Sequence, residues 1–320
     1  MNSGQALLLV VSSSMAGERF DHFLTTQLGA CSRSQAAALI RKGAILADDE
    51  PRKPSYRLKA GQRVCGHVPI PQPSEIVPQA LPLDVLYEDA DIIVINKQAG
   101  LVVHPAPGNV SGTLVNALLH HCPDLTGIGG EIRPGIVHRL DKQTSGVMVA
   151  AKNSDAHIAL ASQFKQRSIE KHYLALVHGT PTGQSGEITL PIGRHPLQRK
   201  KMSVITHRPR SAVTRWRVKE SFGEAALLEV EIKTGRTHQI RVHLSAVGMP
   251  VIGDPVYTIR GTVKRFRLLD PNLAQEIASA ARQMLHAWRL VFDHPRNGKR
   301  LIMVASPPAD MRNLVSVLRT

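Results

Sequence analysis

The 320-residue sequence predicts an α+β protein, with a large mixed domain on a largely antiparallel sheet behind a small N-terminal module. Three observations carry that expectation. From residue 81 onward apolar runs of strand length dominate, and helical patterns do not alternate regularly with them, so a doubly wound parallel fold fits poorly. The segment 67–80 holds four prolines without apolar periodicity, which reads as a semi-rigid linker. An apolar fraction of 42% in a chain of this length supplies one large core and a small one.

Residues 1–15 read as a lead-in, whose apolar run 6–11 is either an edge strand or loosely ordered. That run has no basic leader and no cleavage pattern, so a signal peptide is not indicated. Residues 16–66 form the first module. Ser32 is placed to cap a helix over 35–42, Gly43 to end it, and Ile45-Leu46 to begin a short strand. Asp48-Asp49-Glu50-Pro51 and Ala60-Gly61 mark turns. With nine basic and five acidic residues, the module is basic for its size.

The large domain is expected over 81–320. A buried strand at 92–97 lies between Glu88-Asp89 and Ala99-Gly100, and Gly112-Thr113 opens a helix through 114–119. Asn153 or Ser154 caps a further helix, with Leu160 and Phe164 on its apolar face. Strands follow at 172–178, 226–233, 239–244 and 288–292. Met311, Leu314, Val315 and Leu318, at i, i+3, i+4 and i+7, predict a closing amphipathic helix.

Forty Lys plus Arg against 25 Asp plus Glu give a net charge of +15, which points to a polyanionic partner: RNA, DNA or an anionic membrane. Membrane suits the chain least, because no apolar run approaches the ~20 residues that span a bilayer. Cys31, Cys65 and Cys122 are isolated, which argues against a zinc site and a disulfide framework and fits a reducing cytoplasm. No metal is expected at the histidines. His238 and His243 would face opposite sides of the expected strand, and the adjacent His120-His121 lack partners at ligand spacing.

The most informative stretch is His138-Arg139-Leu140-Asp141-Lys142-Gln143-Thr144-Ser145-Gly146, a polar loop between the apolar runs at 136–137 and 147–151. A nearby cation favours the charged form of a carboxyl. A lone aspartate in such a loop is more often a turn former or an ion-pair partner than a catalyst, and by itself the loop leaves all three readings open. Residues 194–217 carry eight basic and no acidic residues, a pattern of either a solvated face or a phosphate-contacting one.

The loop resembles the signature of the RluA family of RNA pseudouridine synthases. Three further segments are similar to that family in order: Glu170-Lys171-His172-Tyr173-Leu174-Ala175-Leu176-Val177, Thr234-Gly235-Arg236-Thr237-His238-Gln239-Ile240-Arg241-Val242-His243, and Leu285-His286-Ala287. Val103-His104-Pro105-Ala106-Pro107-Gly108-Asn109 through 116–119 is most similar to the RluD branch. Arg19-Phe20-Asp21, Ser32-Arg33 and 40–43 resemble an S4 RNA-binding module of the α-L type, where an ordinary small basic domain is the other reading of the same spacing. Asp48-Asp49-Glu50, Gln62 and Gln143 depart from the usual residues of these families.

The resemblance implies the pseudouridine synthase fold and a reaction without cofactor. In that reaction the N1–C1′ bond of a uridine breaks, the base turns, and C5 bonds to C1′. It implies Asp141 as the catalytic carboxylate, acting either as a nucleophile at C1′ or as a base at C2′. Tyr173 would lie against the detached uracil, Arg236 would pair with Asp141, and Arg241 would be a phosphate-binding or surface residue. Arg139 would fill the space left by the flipped uridine, and Ile240 and Leu285 would wall the pocket. Arg19, Ser32, Arg33, Arg41, Lys42, Arg199, Lys200 and Lys201 are the expected RNA contacts. The implied partner is large-subunit ribosomal RNA or the assembling subunit, met by a cytoplasmic monomer. The rival readings are a non-catalytic RNA-binding assembly factor and a glycoside or nucleoside hydrolase, which usually pairs two carboxylates.

Overall fold

The computed structural model describes residues 4–28, 33–69, 76–106, 108–125, 134–198, 201–258 and 271–319. The chain folds as two units, Met1–Pro73 and Ser74–Thr320.

In the first unit β1 (Gly4–Val10), α1 (Phe20–Leu28), α2 (Arg33–Arg41), β2 (Ile45–Ala47) and β3 (Arg63–Pro69) close around Phe20, Phe23, Leu24, Ile40, Ile45 and Val64. The antiparallel sheet runs β1-β3-β2, so the early apolar run is an edge strand. β3 continues through Pro69, so His67, Val68 and Pro69 belong to the sheet and not to the expected linker. Asp48 and Asp49 both have left-handed φ, 54° and 60°, in the two-residue turn closed by reciprocal 3.1 Å bonds between Ala47 and Glu50. The Asp48 carboxylate accepts from the Arg63 and Gln62 nitrogens at 2.8 Å each, which anchors a turn where Asn-Gly is usual.

The second unit is built on one nine-stranded sheet. Its elements are β4 (Val85–Glu88), β5 (Ile92–Lys97), α3 (Leu114–His121), β6 (Ser145–Ala151), α4 (Ser154–Gln166), β7 (Glu170–His178), β8 (Ser185–Ile188), the small hairpin β9 (Gly193–Arg194) and β10 (Met202–Ser203), β11 (Thr214–Ser221), β12 (Ala225–Ile232), α5 (Gln239–Ala246), α6 (Pro271–Ala278), β13 (Leu285–Asp293), β14 (Arg300–Val304) and α7 (Ala309–Arg319). The order is β4-β5-β6-β13-β7-β12-β11-β8, with β14 beside β13. Among the described residues the strands of this sheet pair antiparallel except at the short β13–β6 seam, so the expected α+β class on a largely antiparallel mixed sheet stands.

Alternation along the strands separates two packed faces. Ile93, Ile95, Met148, Tyr173, Ala175 and Val177 face α3 and α5. Ile92, Val94, Val147 and Val149 pack on α4, and Leu174 and Leu176 pack on α6 and α7. Burial on both faces is why 92–97 and 147–151 read as unbroken apolar runs. Thr113 caps α3 through a capping box with Asn116, and Asn153 caps α4 by accepting from Ala156 N. Met311, Leu314, Val315 and Leu318 are all buried on α7.

One element differs from expectation. Residues 239–244 form α5, not a strand. Gln239 through Leu244 are buried all round, so the sequence carries no one-sided stripe, and Ile240-Arg241-Val242-His243 mimics strand alternation.

Candidate active site

Asp141 sits in the turn before β6, where Thr144 N donates to Asp141 O at 3.0 Å. Neighbouring segments fix the backbone beyond it. Gly100 N and Lys97 Nζ donate to Lys142 O at 2.9 and 3.2 Å, Arg282 donates to Gln143 O at 3.1 Å, and Gln283 donates to the Thr144 hydroxyl at 3.3 Å. Gly146 then has φ +118° and lies so close to β13 that an added Cβ would meet Ala287 O at 2.2 Å. Across this seam Ser145 Oγ and His286 Nδ1 are 2.9 Å apart, while His286 Nε2 lies 3.0 Å from Ala305 O. A carbonyl only accepts, so Nε2 carries the proton, and the imidazole, neutral through burial, accepts from Ser145.

The structure brings Arg139, Asp141, Tyr173, Arg236, Ile240 and Leu285 to the lining of one cleft, with Ile232, Thr237 and His238 between them. Tyr173 arrives on β7, one pleat from Lys171. It is 8% exposed, and burial followed by the nearby Asp141 charge pushes its phenol well up, so the hydroxyl keeps its proton.

The expected pairing of Asp141 needs correction. Arg241 Nη1 donates to Asp141 Oδ2 at 2.8 Å, whereas Arg236 Nε donates to Ser211 O at 3.1 Å. The reason is α5: as a helix it turns Arg241 inward, 4% exposed, where a surface or phosphate-contacting role is closed to it. The same guanidinium holds Asp254 through two bonds, Nε to Oδ2 at 2.7 Å and Nη2 to Oδ1 at 2.9 Å. Burial opposes the Arg241 charge, but the two carboxylates outweigh it and push its pKa up. Arg236 rides instead on the turn fixed by Gln239, which accepts from Thr234 Oγ1 at 2.6 Å and Arg236 N at 3.0 Å.

Three groups escaped the sequence reading. Asp254 follows Gly253 in a turn remote from the motifs, and no local pattern marks it. His238 has a left-handed φ of 55°, bonds the Tyr257 hydroxyl at 2.8 Å, and brings Nε2 within 3.9 Å of Asp141 Oδ2. Lys97, ending β5, is 1% exposed and donates to the carbonyls of Gln98, Leu101 and Lys142. Burial pulls its ammonium down to about 7, partly offset by Asp141. A buried lysine closing an apolar strand was the available signal.

The histidines also sit differently from expectation. His243 is on α5, against Thr214 and Leu190 O, apart from the partners of His238. His121 does meet an acid, Glu88, at 2.8 Å with Cys122 nearby, and Asp89, Asp91 and His294 form a second group. Each group already holds a cation, Lys152 on Glu88 and Arg296 on Asp91. Of the expected RNA contacts, Arg19 and Arg33 are held by Asp21, whose carboxyl they pull down to about 2, Arg19 more strongly. Arg41 and Lys42 are exposed, Lys201 is half-buried, and Ser32, Arg199 and Lys200 lie outside the described residues.

Residues 91–246 match the RNA pseudouridylate synthase family and residues 18–64 the S4 domain. A relative from Zymomonas mobilis, Ribosomal large subunit pseudouridine synthase D, is 41% identical over 97% of this chain and 96% of its own. The chain belongs to the RNA pseudouridylate synthase family. This pseudouridine synthase is also similar to the protein of the same name from Xanthomonas campestris, at 43% identity over 97% of this chain and 92% of that one. Among solved structures, Human RNA Pseudouridylate Synthase Domain Containing 1 aligns with a TM-score of 0.57 and 25% identity, covering 76% of this chain and 96% of that one. The synthase is therefore an isomerase with RNA as its partner, through both its catalytic and S4 segments. Among the described residues no helix is long and apolar enough to cross a membrane.

Proposed function

We propose that this synthase converts specific uridines of large-subunit ribosomal RNA to pseudouridine, acting as a cytoplasmic monomer. Near-full-length similarity to proteins named for that subunit supports the substrate. The observation that carries the chemistry is the half-engaged carboxylate of Asp141, whose Oδ2 takes the Arg241 bond. Its other oxygen is left for the sugar, as nucleophile at C1′ or base at C2′. Arg241 is the positioning residue, fixed in turn by Asp254. Tyr173, Ile232, Ile240 and Leu285 provide the apolar bed for the turning uracil. Arg139 and Arg236 are exposed enough at the rim to meet the opened RNA stack. The reaction balances within the nucleotide: N1–C1′ breaks, C5–C1′ forms, and the C5 proton is exchanged for one on N1.

A hydrolase would set a second carboxylate across the bond. Asp254, the nearest candidate, has a fully buried side chain behind Arg241 and does not line the cleft. Nothing in the comparisons supports a non-catalytic assembly factor.

The test is nucleotide-resolution pseudouridine mapping on unmodified ribosomal RNA. Wild-type protein is expected to create new sites, Asp141→Asn none at undiminished RNA binding, and neither to release uracil. New sites with Asp141→Asn would remove the assigned role of Asp141. No sites with wild-type protein would remove the ribosomal substrate.

A further inference from the structure

We propose that a second cleft, built around Lys171 and adjoining the catalytic one, seats the RNA backbone phosphate beside the target uridine. The inference rests on the RNA reading of the catalytic cleft. β7 carries both residues: Lys171 and Tyr173 are two apart, so they project from the same face about 7 Å apart. The two clefts share Arg139, Tyr173, Ile232, Gly235 and Arg236 along their common edge.

The second cleft, of about 470 Å³, is lined by Arg139, Lys165, Arg167, Lys171, Lys233 and Arg236 and by no acidic residue. Lys171 is its floor. It is only 9% exposed, and among the described residues no carboxylate or carbonyl bonds its ammonium, which lies 5.8 Å over the Phe164 ring. Glu231, the acid close enough to feel it, is paired with Lys233. Burial, then Arg167 and Lys233, push the Lys171 pKa down. Arg167 holds the left-handed C-cap of α4, φ 62°, a position that favours Gly or Asn. A stable fold gains nothing from a buried cation with no counter-charge. An anion entering beside the flipped base would supply that charge, and a phosphodiester is the anion an RNA strand offers there.

The test uses the full chain with an RNA fragment containing a mapped site. In Lys171→Met an apolar stem of similar length replaces the buried cation, so thermal stability is expected to hold or rise. KM should rise roughly tenfold with kcat within about twofold, and the salt slope of RNA binding should fall by about one. Independently, single methylphosphonate linkages are scanned around the target uridine with wild-type protein. One neutral linkage adjacent to it is expected to reproduce the loss, and to add nothing to Lys171→Met. Unchanged KM and salt slope in Lys171→Met, or a loss of stability and kcat together, would overturn the subsite while leaving the synthase assignment standing. A scan in which no adjacent linkage matters would do the same. Wild-type protein that forms no pseudouridine on any RNA would bring down the functional reading, and the subsite with it.

Discussion

Arg241 divides its guanidinium between two carboxylates, and that division sets what substitutions around it will do. A lysine offers a point charge without the planar fork, so Arg241→Lys cannot hold Asp254 and orient Asp141 together. We expect kcat to fall by at least about 100-fold, because misplacing a reacting group by an ångström has that effect. Arg241→Ala should also destabilise the fold by about 3–5 kcal/mol, the consequence of stranding a buried carboxylate. Arg236→Ala should leave stability and kcat nearly unchanged and weaken RNA binding. Steady-state kinetics and urea denaturation of the three variants check this, and the opposite ranking of Arg236 and Arg241 would remove Arg241 from its place behind Asp141. At this scale the meeting of Asp141 and Tyr173 in one cleft was legible, because each carries its own local pattern. The Arg241 partner was not, because choosing between two arginines five residues apart requires knowing whether the backbone between them is helical.

Among the elements, the β6–β13 seam governs whether the cleft exists. Gly146 faces the Ala287 carbonyl across a gap that no side chain fits, in a backbone conformation that L-residues avoid. Gly146→Ala is expected to cost about 3 kcal/mol or more and to reduce kcat by separating Asp141 from Leu285. Chemical denaturation beside kinetics would show it, and a variant of wild-type stability would mean that the seam yields. The capped helices α3 and α4 and the amphipathic α7 could be read in advance, since caps and stripes are local signals. α5 could not, since burial on every side erases the stripe. β3 overran into the proline-rich segment because Pro69 ends the strand, where its missing N–H is tolerated.

For the molecule as a whole, buried imidazoles dictate the response to acid. Burial pushes His138 down to about 3 and His178 to about 4, and moves His243 and His286 the same way. Unfolded histidine titrates near 6.5. Between these values the unfolded chain binds protons that the folded chain refuses, so stability must fall as pH drops from about 6.5 towards 3. Below about 4, protonation of Asp21 and Asp89, both held near 2 in the fold, takes away more. Urea midpoints between pH 4 and 8 should trace the first decline, and His178→Gln should flatten part of it. A flat profile would mean that these rings are hydrated. Fold class was legible at this scale from the irregular placement of helices. Strand order was not, because the parallel β6–β13 contact joins segments that share no local signal.

That contact has a consequence for synthesis. Ser145 meets a histidine 141 residues further along the chain, and the leucine beside that histidine lines the cleft that holds Asp141 and Tyr173. During translation the signature loop leaves the ribosome long before its other half exists. A nascent chain halted before Leu285 would carry every acid and arginine of the centre and still be inert. The enzyme's first turnover must wait until synthesis has passed Leu285 and His286.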